Sequence, residues 1–430
     1  LINIEEPQAQ KRAASPYAPP RPYRPGARKL RVLLVSHTCQ SRTEGQPKAH
    51  ALAALPDIEL HLLTPTRWKH YGRWRSAQVP VDPRFSFTQT NVRLAWAGPA
   101  QYFLHYYPGL PGLLRSFKPD VIDLWEEPWG LVSAQACRLR NRLLPSAKIV
   151  SETEQNIFKS LPFPFEQFRK FTLKNADYAV GRNSESIVHL RAKGYRGPAE
   201  VVPNAVDTEL FRPLERLACR KKLLAALGIS ARDPGAEGSQ DIFLAGYIGR
   251  LVEEKGLADM LDALPRCGPR THLLFLGAGP LESELRRRAG ELPGGGGGAE
   301  KGGARVHFLP ARPLEELPEV MNALDVFILP SRTTARWKEQ FGRVIIEAHA
   351  CGTPVIGSDS GAIPDVVADA GIVVPEQNPS ALAEAMLSLE RSPDQARALG
   401  RRGLENVRDY FTWQRVAERM ASIYQQMSGS

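Results

Sequence analysis

The stretch Phe243–Gly256, FLAGYIGRLVEEKG, opens on an apolar run and breaks at Gly249 into a charged turn. An uninterrupted apolar run of this length, closed by glycine, reads as a strand buried on both faces of a parallel sheet. A helical pattern follows at Lys255–Pro265, so the stretch reads as one strand–turn–helix unit. The unit recurs downstream. Strand patterns fall at His272–Leu276, Arg305–Leu309, Val326–Leu329, Pro354–Gly357 and Gly371–Val374, with helical patterns at Leu281–Ala289, Leu314–Ala323, Gly342–Ala350 and Pro379–Leu389. Upstream, strands are expected at Arg31–Val35, Glu59–Leu63, Val121–Trp125, Lys148–Ser151, Tyr178–Gly181 and Glu200–Val202. Helices are expected at Pro47–Leu55, Leu131–Leu143, Phe165–Lys174, Ser184–Lys193 and Arg216–Leu227. Regular alternation implies parallel sheets with right-handed crossovers and helices on both faces. Two such series, joined near Pro203–Pro213, imply two doubly wound α/β domains facing across a cleft, where ligands bind outside the carboxyl ends of the strands.

The bulk properties agree. A chain of 430 residues exceeds one ordinary core, and 43% apolar with 24% charged residues is ordinary globular composition. No run approaches the ~20 apolar residues of a membrane-spanning helix. Residues 1–27 are polar and Pro-rich and read as a disordered extension. Ser230–Gln240 and the glycine run Gly294–Gly298 read as surface loops. Five widely spaced cysteines, with no CxxC and no Cys/His cluster, support neither a disulfide framework nor a zinc site and fit a reducing compartment. The formal charge of +10 suits nucleic acid, an anionic membrane surface or an anionic small substrate. No nucleic-acid-binding pattern accompanies it. Nucleic acid is therefore not expected, and peripheral contact with an anionic membrane remains open through basic residues such as Arg21, Arg24 and Arg28.

The strongest local signal is WKEQFGRVIIE, Trp337–Glu347. Glu339 lies in a loop and Glu347 on the helix that follows. Eight helical positions span at most ~12 Å, about the length of a sugar plus a ribose-diphosphate. Two carboxylates so spaced can bind hydroxyls at opposite ends of one ligand, with a helix N-terminus between them suited to a diphosphate. In GRLVEEKG, Arg250 and Lys255 stand at the carboxyl end of a strand and can neutralise a leaving diphosphate without a metal. Gly277–Pro280 lacks the third glycine of a dinucleotide fingerprint, since Glu282 holds that position, and reads as a tight turn. Gly45, in the first β-α turn, permits close backbone approach to a phosphate, and His37 beside it reads as a loop residue. LWEEPWG, Leu124–Gly130, places Glu126 and Glu127 at a strand end, with Trp125 and Trp129 able to stack on a sugar or to fill the core. No GxSxG elbow, P-loop or HExxH is present.

In this order the motifs resemble glycosyltransferase family 4, retaining enzymes of the GT-B fold that use nucleotide sugars. The resemblance runs from about Arg28 to Met427. It is densest in GRLVEEKG, GAGPLESEL, LDVFILPS, the stretch Trp337–Val367 and the tail FTWQRVAERMASIY. It implies an acceptor-binding Rossmann-like domain at 28–203, a nucleotide-sugar-binding one at 204–410, and a C-terminal helix in 411–430 crossing back onto the first. It implies that Glu347 holds the ribose, that Glu339 with Phe341 and Gly342 holds the donor sugar, and that Arg250, Lys255 and Gly249 face the diphosphate. Gly45 matches the glycine loop, and Phe308 and Leu309 border the base. Where many relatives carry a histidine this chain has Glu126–Glu127, and Glu154 and Asn156 fall in the acceptor loop. The expected activity is metal-independent, cofactor-free transfer of a hexose from a nucleotide-diphosphate sugar to a sugar, lipid or polysaccharide hydroxyl, with retained configuration. A cytoplasmic protein, at most peripheral at the inner face of the membrane, is implied. A nucleotide-sugar epimerase of the same architecture and a catalytically silent sugar-binding protein are the alternatives.

Overall fold

A computed structural model describes residues 16–17, 23–26, 28–70, 73–81, 83–94, 100–229, 242–292 and 305–429. The loops expected at 230–240 and 294–298 lie outside them, as does most of the N-terminal extension.

The first domain carries β1 (Leu30–Val35), β2 (Ile58–Pro65), the hairpin β3 (Arg67–His70) and β4 (Arg73–Ser76), β5 (Ser86–Thr90), β6 (Val121–Leu124), β7 (Lys148–Thr153), β8 (Tyr178–Gly181) and β9 (Ala199–Val201). Apart from the antiparallel hairpin, these form one parallel sheet in the order β5-β2-β1-β6-β7-β8-β9. The second domain carries β10 (Phe243–Ile248), β11 (Thr271–Leu276), β12 (Val306–Leu309), β13 (Val326–Leu329), β14 (Val355–Ser358) and β15 (Gly371–Val374). Its parallel sheet runs β12-β11-β10-β13-β14-β15. In each sheet the strand order reverses beside the domain's first strand, between β1 and β6 and between β10 and β13. Loops leaving the carboxyl ends of those strands part to opposite sides and leave a crevice.

The central strands are wholly buried, as contiguous apolar runs demand: every residue of β6, β10 and β13 is covered. The helix Trp413–Ser428 buries Val416, Met420, Ile423 and Tyr424 in the core of the first domain, and the Tyr424 hydroxyl donates to Asp123 at 2.6 Å. All five cysteines are free and buried.

The structure corrects several expectations. The hairpin, β5 and the helices Leu110–Phe117, Ile363–Val367 and Pro393–Tyr410 add to the elements that the sequence pattern marks. The expected helix Lys255–Pro265 is a 3-10 turn, Glu253–Lys255, then Gly256 at φ +65°, then Leu257–Ala263. Lys255 therefore projects from a turn rather than a helix. Parts of the extension are packed rather than disordered. Tyr17 is buried edge-on to Phe341 and Phe411, and Asp57 receives both the Tyr23 hydroxyl and the Gly26 amide.

Candidate functional site

The two crevices carry the charged residues that the motifs single out. Lys255, in the turn after β10, places Nζ 2.5 Å from Glu339 Oε2 and 4.8 Å from the centre of the Trp337 ring. Glu339 is nearly buried, and the same oxygen accepts the Ser331 hydroxyl at 3.0 Å. Two residues drawn from separate motifs thus form one ion pair. Arg250 is half-exposed, 3.8 Å from Glu254, and its carbonyl accepts the Tyr247 hydroxyl at 2.8 Å, which fixes the turn. Phe341 is buried, and Gly342 at φ +79° turns the chain into the helix Arg343–Ala350, a left-handed conformation that suits glycine. Glu347 lies on that helix. Burial pushes its carboxyl up to about 7, against the pull of Arg343.

The first domain grips the loop that holds Glu339. Asn156 Nδ2 donates to the Glu339 carbonyl at 2.9 Å and to Glu185 at 3.1 Å. Asn183 caps the helix Ser184–Ala192 through Oδ1, accepting Ser186 N at 2.7 Å, while its Nδ2 donates to the Gln340 carbonyl. Lys338 pairs with Glu185, and Ser184 with Asp365. Asn156, read as an acceptor contact, is here an interdomain clamp.

Beside this clamp, a cavity of about 370 Å3 opens at the reversal point of the first sheet. Glu126, Glu127 and Glu154 line it with His37, Trp68, Tyr102 and Trp125, and Gln340 and Arg343 close it from the second domain. Its floor is a buried ionic network. Lys48 Nζ lies 2.9 Å from Asp123 and also pairs with Glu152, which pairs in turn with Arg182. The centre of the Trp125 ring lies 4.8 Å from Lys48 Nζ and 5.2 Å from the Arg182 guanidinium. Trp129 is buried near Phe103 and does not line the cavity.

Glu126 and Glu127 are adjacent in sequence and opposite in state. Burial would push Glu126 up, yet His37 and His105 hold it down at about 2. Burial pushes Glu127 up to about 8, with Glu154 and Glu126 adding to the rise. Thr153 Oγ1 at 2.5 Å and the Glu154 amide at 2.9 Å only partly offset it. Because the folded state holds the Glu127 proton more tightly than the unfolded chain, stability falls as pH rises from the ordinary carboxylate range through about 8. Glu127→Gln copies the protonated form. It is expected to melt like wild type near pH 5 and to be more stable near pH 9, by about 1–3 kcal/mol. Thermal melts at the two pH values check this, and an unchanged gap between them contradicts it.

His37, read from sequence as a loop residue, proves central. It follows β1 by two residues, stacks on Trp68 (centroids 4.7 Å, interplanar 29°) and binds Glu126 twice. Among the described residues, His37, His105 and Glu126 are one group close enough to converge on a cation. Both oxygens of Glu126 are taken, one by the His37 amide at 2.6 Å and one by His37 Nδ1 at 2.7 Å, so the group reads as a hydrogen-bonded array rather than a metal site.

Gly45 is buried at the start of the helix Gln46–Ala53. A Cβ there would lie 2.5 Å from the backbone of Thr38, so its own chain already explains the glycine. Phe308 and Leu309 end the edge strand β12, away from the cavity lining. Phe308 stacks on Phe275 under the Arg286 guanidinium, and the Leu309 carbonyl accepts the Gly277 amide at 3.0 Å. Gly249 receives the second domain's first turn at φ +154°. Of the basic arm, Arg28 pairs with Asp120, and Arg21 lies outside the described residues. No helix among the described residues is long and apolar enough to cross a membrane.

Residues 232–406 match the family described as "Glycosyl transferases group 1". The chain is 31% identical over 236 residues to the alpha-maltose-1-phosphate synthase of Mycolicibacterium smegmatis, covering 53% of this chain and 57% of that protein. It is 31% identical over 235 residues to a GDP-mannose-dependent monoacylated alpha-(1-6)-phosphatidylinositol monomannoside mannosyltransferase of Corynebacterium glutamicum, covering 53% and 56%. The chain thus spans about half the length of these relatives. Among solved structures, the sucrose-phosphate synthase of Thermosynechococcus elongatus superposes with a TM-score of 0.67 at 23% identity, covering 93% of this chain and all of that one. HepE of Anabaena, solved in complex with UDP, superposes with 0.66 at 16% identity, covering 92% and 100%. The architecture of two Rossmann-like domains is the GT-B fold.

Proposed function

We propose that this chain, whose second domain is of the glycosyl transferases group 1 family, moves a hexose from a nucleotide-diphosphate sugar to an acceptor hydroxyl with retained anomeric configuration. The observation that carries the reading is the Lys255–Glu339 pair at the reversal point of the matched domain's sheet, 2.5 Å apart. A cation and a nearly buried carboxylate so placed suit a ligand that presents phosphate oxygens to one and sugar hydroxyls to the other. Arg250 shares the diphosphate charge as it leaves, Glu347 takes the ribose, and Phe341 and Gly342 offer backbone to the sugar. The acceptor enters the cavity of the first domain, over Trp125 and between Glu126, Glu127 and Glu154. Domain closure through Asn156 and Asn183 excludes water. Neither a metal nor a further cofactor has a part in this scheme, and a cytoplasmic location, at most peripheral to a membrane, belongs to the same proposal. A relative named a phosphatidylinositol monomannoside mannosyltransferase and another named an alpha-maltose-1-phosphate synthase support a sugar- or lipid-type acceptor.

Thermal stability in the presence of UDP, GDP, ADP and dTDP tests the donor site. A ligand at a hundred times its dissociation constant stabilises by ~2.7 kcal/mol. One nucleoside diphosphate is expected to raise the melting temperature of wild type and to have little effect on Glu347→Ala. If no nucleoside diphosphate stabilises wild type, the donor-site reading fails and a sugar-binding protein takes its place.

A further inference from the structure

We propose that Tyr17, carried ahead of the first sheet, is a positioning residue for the donor site: it holds the Phe341–Gly342 turn of the second domain against the first domain. The inference rests on the transferase reading, which gives that turn to the donor sugar, and adds the residue that keeps it in place.

Tyr17 lies in a stretch whose composition predicts no packed structure, yet it is 1% exposed and its ring belongs to the core of the second domain. The ring stands edge-on to Phe341 at 6.1 Å and to Phe411 at 5.2 Å, and those two rings are 6.0 Å from each other. Three rings meeting edge to face add a preferred geometry to the area they bury. The Tyr17 hydroxyl reaches the first domain, 3.5 Å from the Arg182 carbonyl. That is long for a hydroxyl bond, so the ring carries most of the contact.

The position of the ring gives the contact its consequence. Asn183 Nδ2 donates to the Gln340 carbonyl across the two domains. Tyr17 touches the neighbour of each, Arg182 in the first domain and Phe341 in the second, and so repeats that clamp one residue along. Phe411 marks the point where the chain returns to the first domain. Its carbonyl accepts Val206 N at 2.9 Å and Val206 pairs with Thr412, so the outgoing and returning crossings lie side by side. A ring packed at this pivot loses its contacts when the domains turn apart. Gly342, at φ +79°, gives the turn backbone freedom that other residues lack, and Phe341 is the buried side chain by which the turn is held.

The same stretch is tied to the first domain a few residues further on. Asp57, just before β2, accepts the Tyr23 hydroxyl and, at 2.8 Å, the Gly26 amide. Gln425 of the C-terminal helix donates to Asp57 at 2.7 Å and to the Arg24 carbonyl at 3.0 Å. Six Cα steps join Tyr17 to Tyr23, a reach of at most ~22 Å. The stretch is therefore anchored on one domain and places an aromatic ring in the core of the other.

The test compares Tyr17→Ala and Tyr17→Phe with wild type in the full chain. Hydrogen exchange reads the turn without a ligand, through the amides of Ile345 and Ala362, which donate to the Gly342 and Glu339 carbonyls at 2.8 and 3.0 Å. Tyr17→Ala is expected to speed their exchange about tenfold more than that of the β10 amides, which report general stability. Tyr17→Phe, which keeps the ring, should exchange like wild type. Calorimetric titration with UDP-glucose, GDP-mannose and ADP-glucose then reads the donor site. A turn found in its held position a tenth as often raises the apparent dissociation constant about tenfold. Tyr17→Ala should show that loss for whichever donor binds wild type, and Tyr17→Phe should restore the affinity. Acceleration at Ile345 and Ala362 no greater than in β10 overturns the proposal. If wild type binds a donor and Tyr17→Ala binds it within about twofold as tightly, the proposal fails and the transferase reading stands. If wild type binds none of the three while exchange at the turn responds to Tyr17→Ala as expected, the transferase reading fails and the hold of Tyr17 on the turn stands.

Discussion

Lys48→Met is expected to unfold with about 3–5 kcal/mol less free energy than wild type, a large fraction of the stability of an ordinary domain. Lys48 is 1% exposed, between Asp123 and Glu152, which are buried to the same degree. Arg182 supplies the second cation, so two carboxylates face two cations, and Tyr424 of the C-terminal helix donates into the group. Desolvation is the dominant cost, and it pulls the Lys48 ammonium down to about 8 even with Asp123 beside it. The network therefore contributes little net attraction, and breaking it on one side is far more damaging than its presence is helpful. Methionine keeps the length and packing of the stem, so the loss measures the stranded carboxylate rather than a cavity. Denaturant unfolding of Lys48→Met, Asp123→Asn and the double variant checks the argument. The double variant should recover part of the loss, because it removes the stranded charge. A double variant as unstable as the sum of the singles contradicts the electrostatic account and leaves packing as the cause.

The same network explains why the C-terminal helix belongs to the first domain. Tyr424 Oη lies 2.6 Å from Asp123, 301 residues earlier in the chain. Nothing local in the tail announces that partner. What is legible is the apolar spacing of Val416, Met420, Ile423 and Tyr424, which requires some core to receive the helix. The sheets are legible for a related reason. β10 and β13 are buried on both faces, so each is a contiguous apolar run that survives in sequence as such. The hairpin RWKH and RWRS, Arg67–Ser76, carries no such run, and its pairing is invisible without the structure. The helix Leu110–Phe117 hides behind Pro111 and Gly112, residues that ordinarily mark a turn.

For the site, residue types are legible and pairings are not. Lys255 and Glu339 stand out in separate motifs 84 residues apart, and only the folded chain joins them in one ion pair. His37 meets Glu126 across 89 residues, and its neighbours Ser36, Thr38, Cys39 and Gln40 give it no local mark. The available signal was positional. His37 stands two residues beyond β1, and Glu126 two beyond β6, at the point where strand order reverses. Asn156 and Asn183 are equally hidden, since the carbonyls they reach lie 183 and 157 residues away in the other domain.

Lys255→Ala is expected to lower transfer about 10²–10³-fold, the cost of removing one preorganised donor from a developing charge. Lys255 Nζ rests 2.5 Å from Glu339 Oε2, and both side chains are largely covered, so the ammonium is held in place and partly desolvated. A group held this way needs little rearrangement when negative charge accumulates on the leaving oxygen, and its effect should fall on the rate more than on ground-state binding. Arg250 is half-exposed and screened by water, so Arg250→Ala should cost less unless domain closure buries it. The pairing with Glu339 complicates a single substitution, because alanine at 255 leaves that nearly buried carboxylate with Ser331 alone. Glu339→Gln and the double variant separate the two effects. If Lys255 acts on the diphosphate, Lys255→Ala stays slow in the Glu339→Gln background, where no stranded carboxylate remains. If its sole task is to hold Glu339, the second substitution restores nothing further to lose, and the double variant matches Glu339→Gln. Single-turnover release of nucleoside diphosphate decides between these outcomes, and a Lys255→Ala protein within fivefold of wild type removes Lys255 from the chemistry.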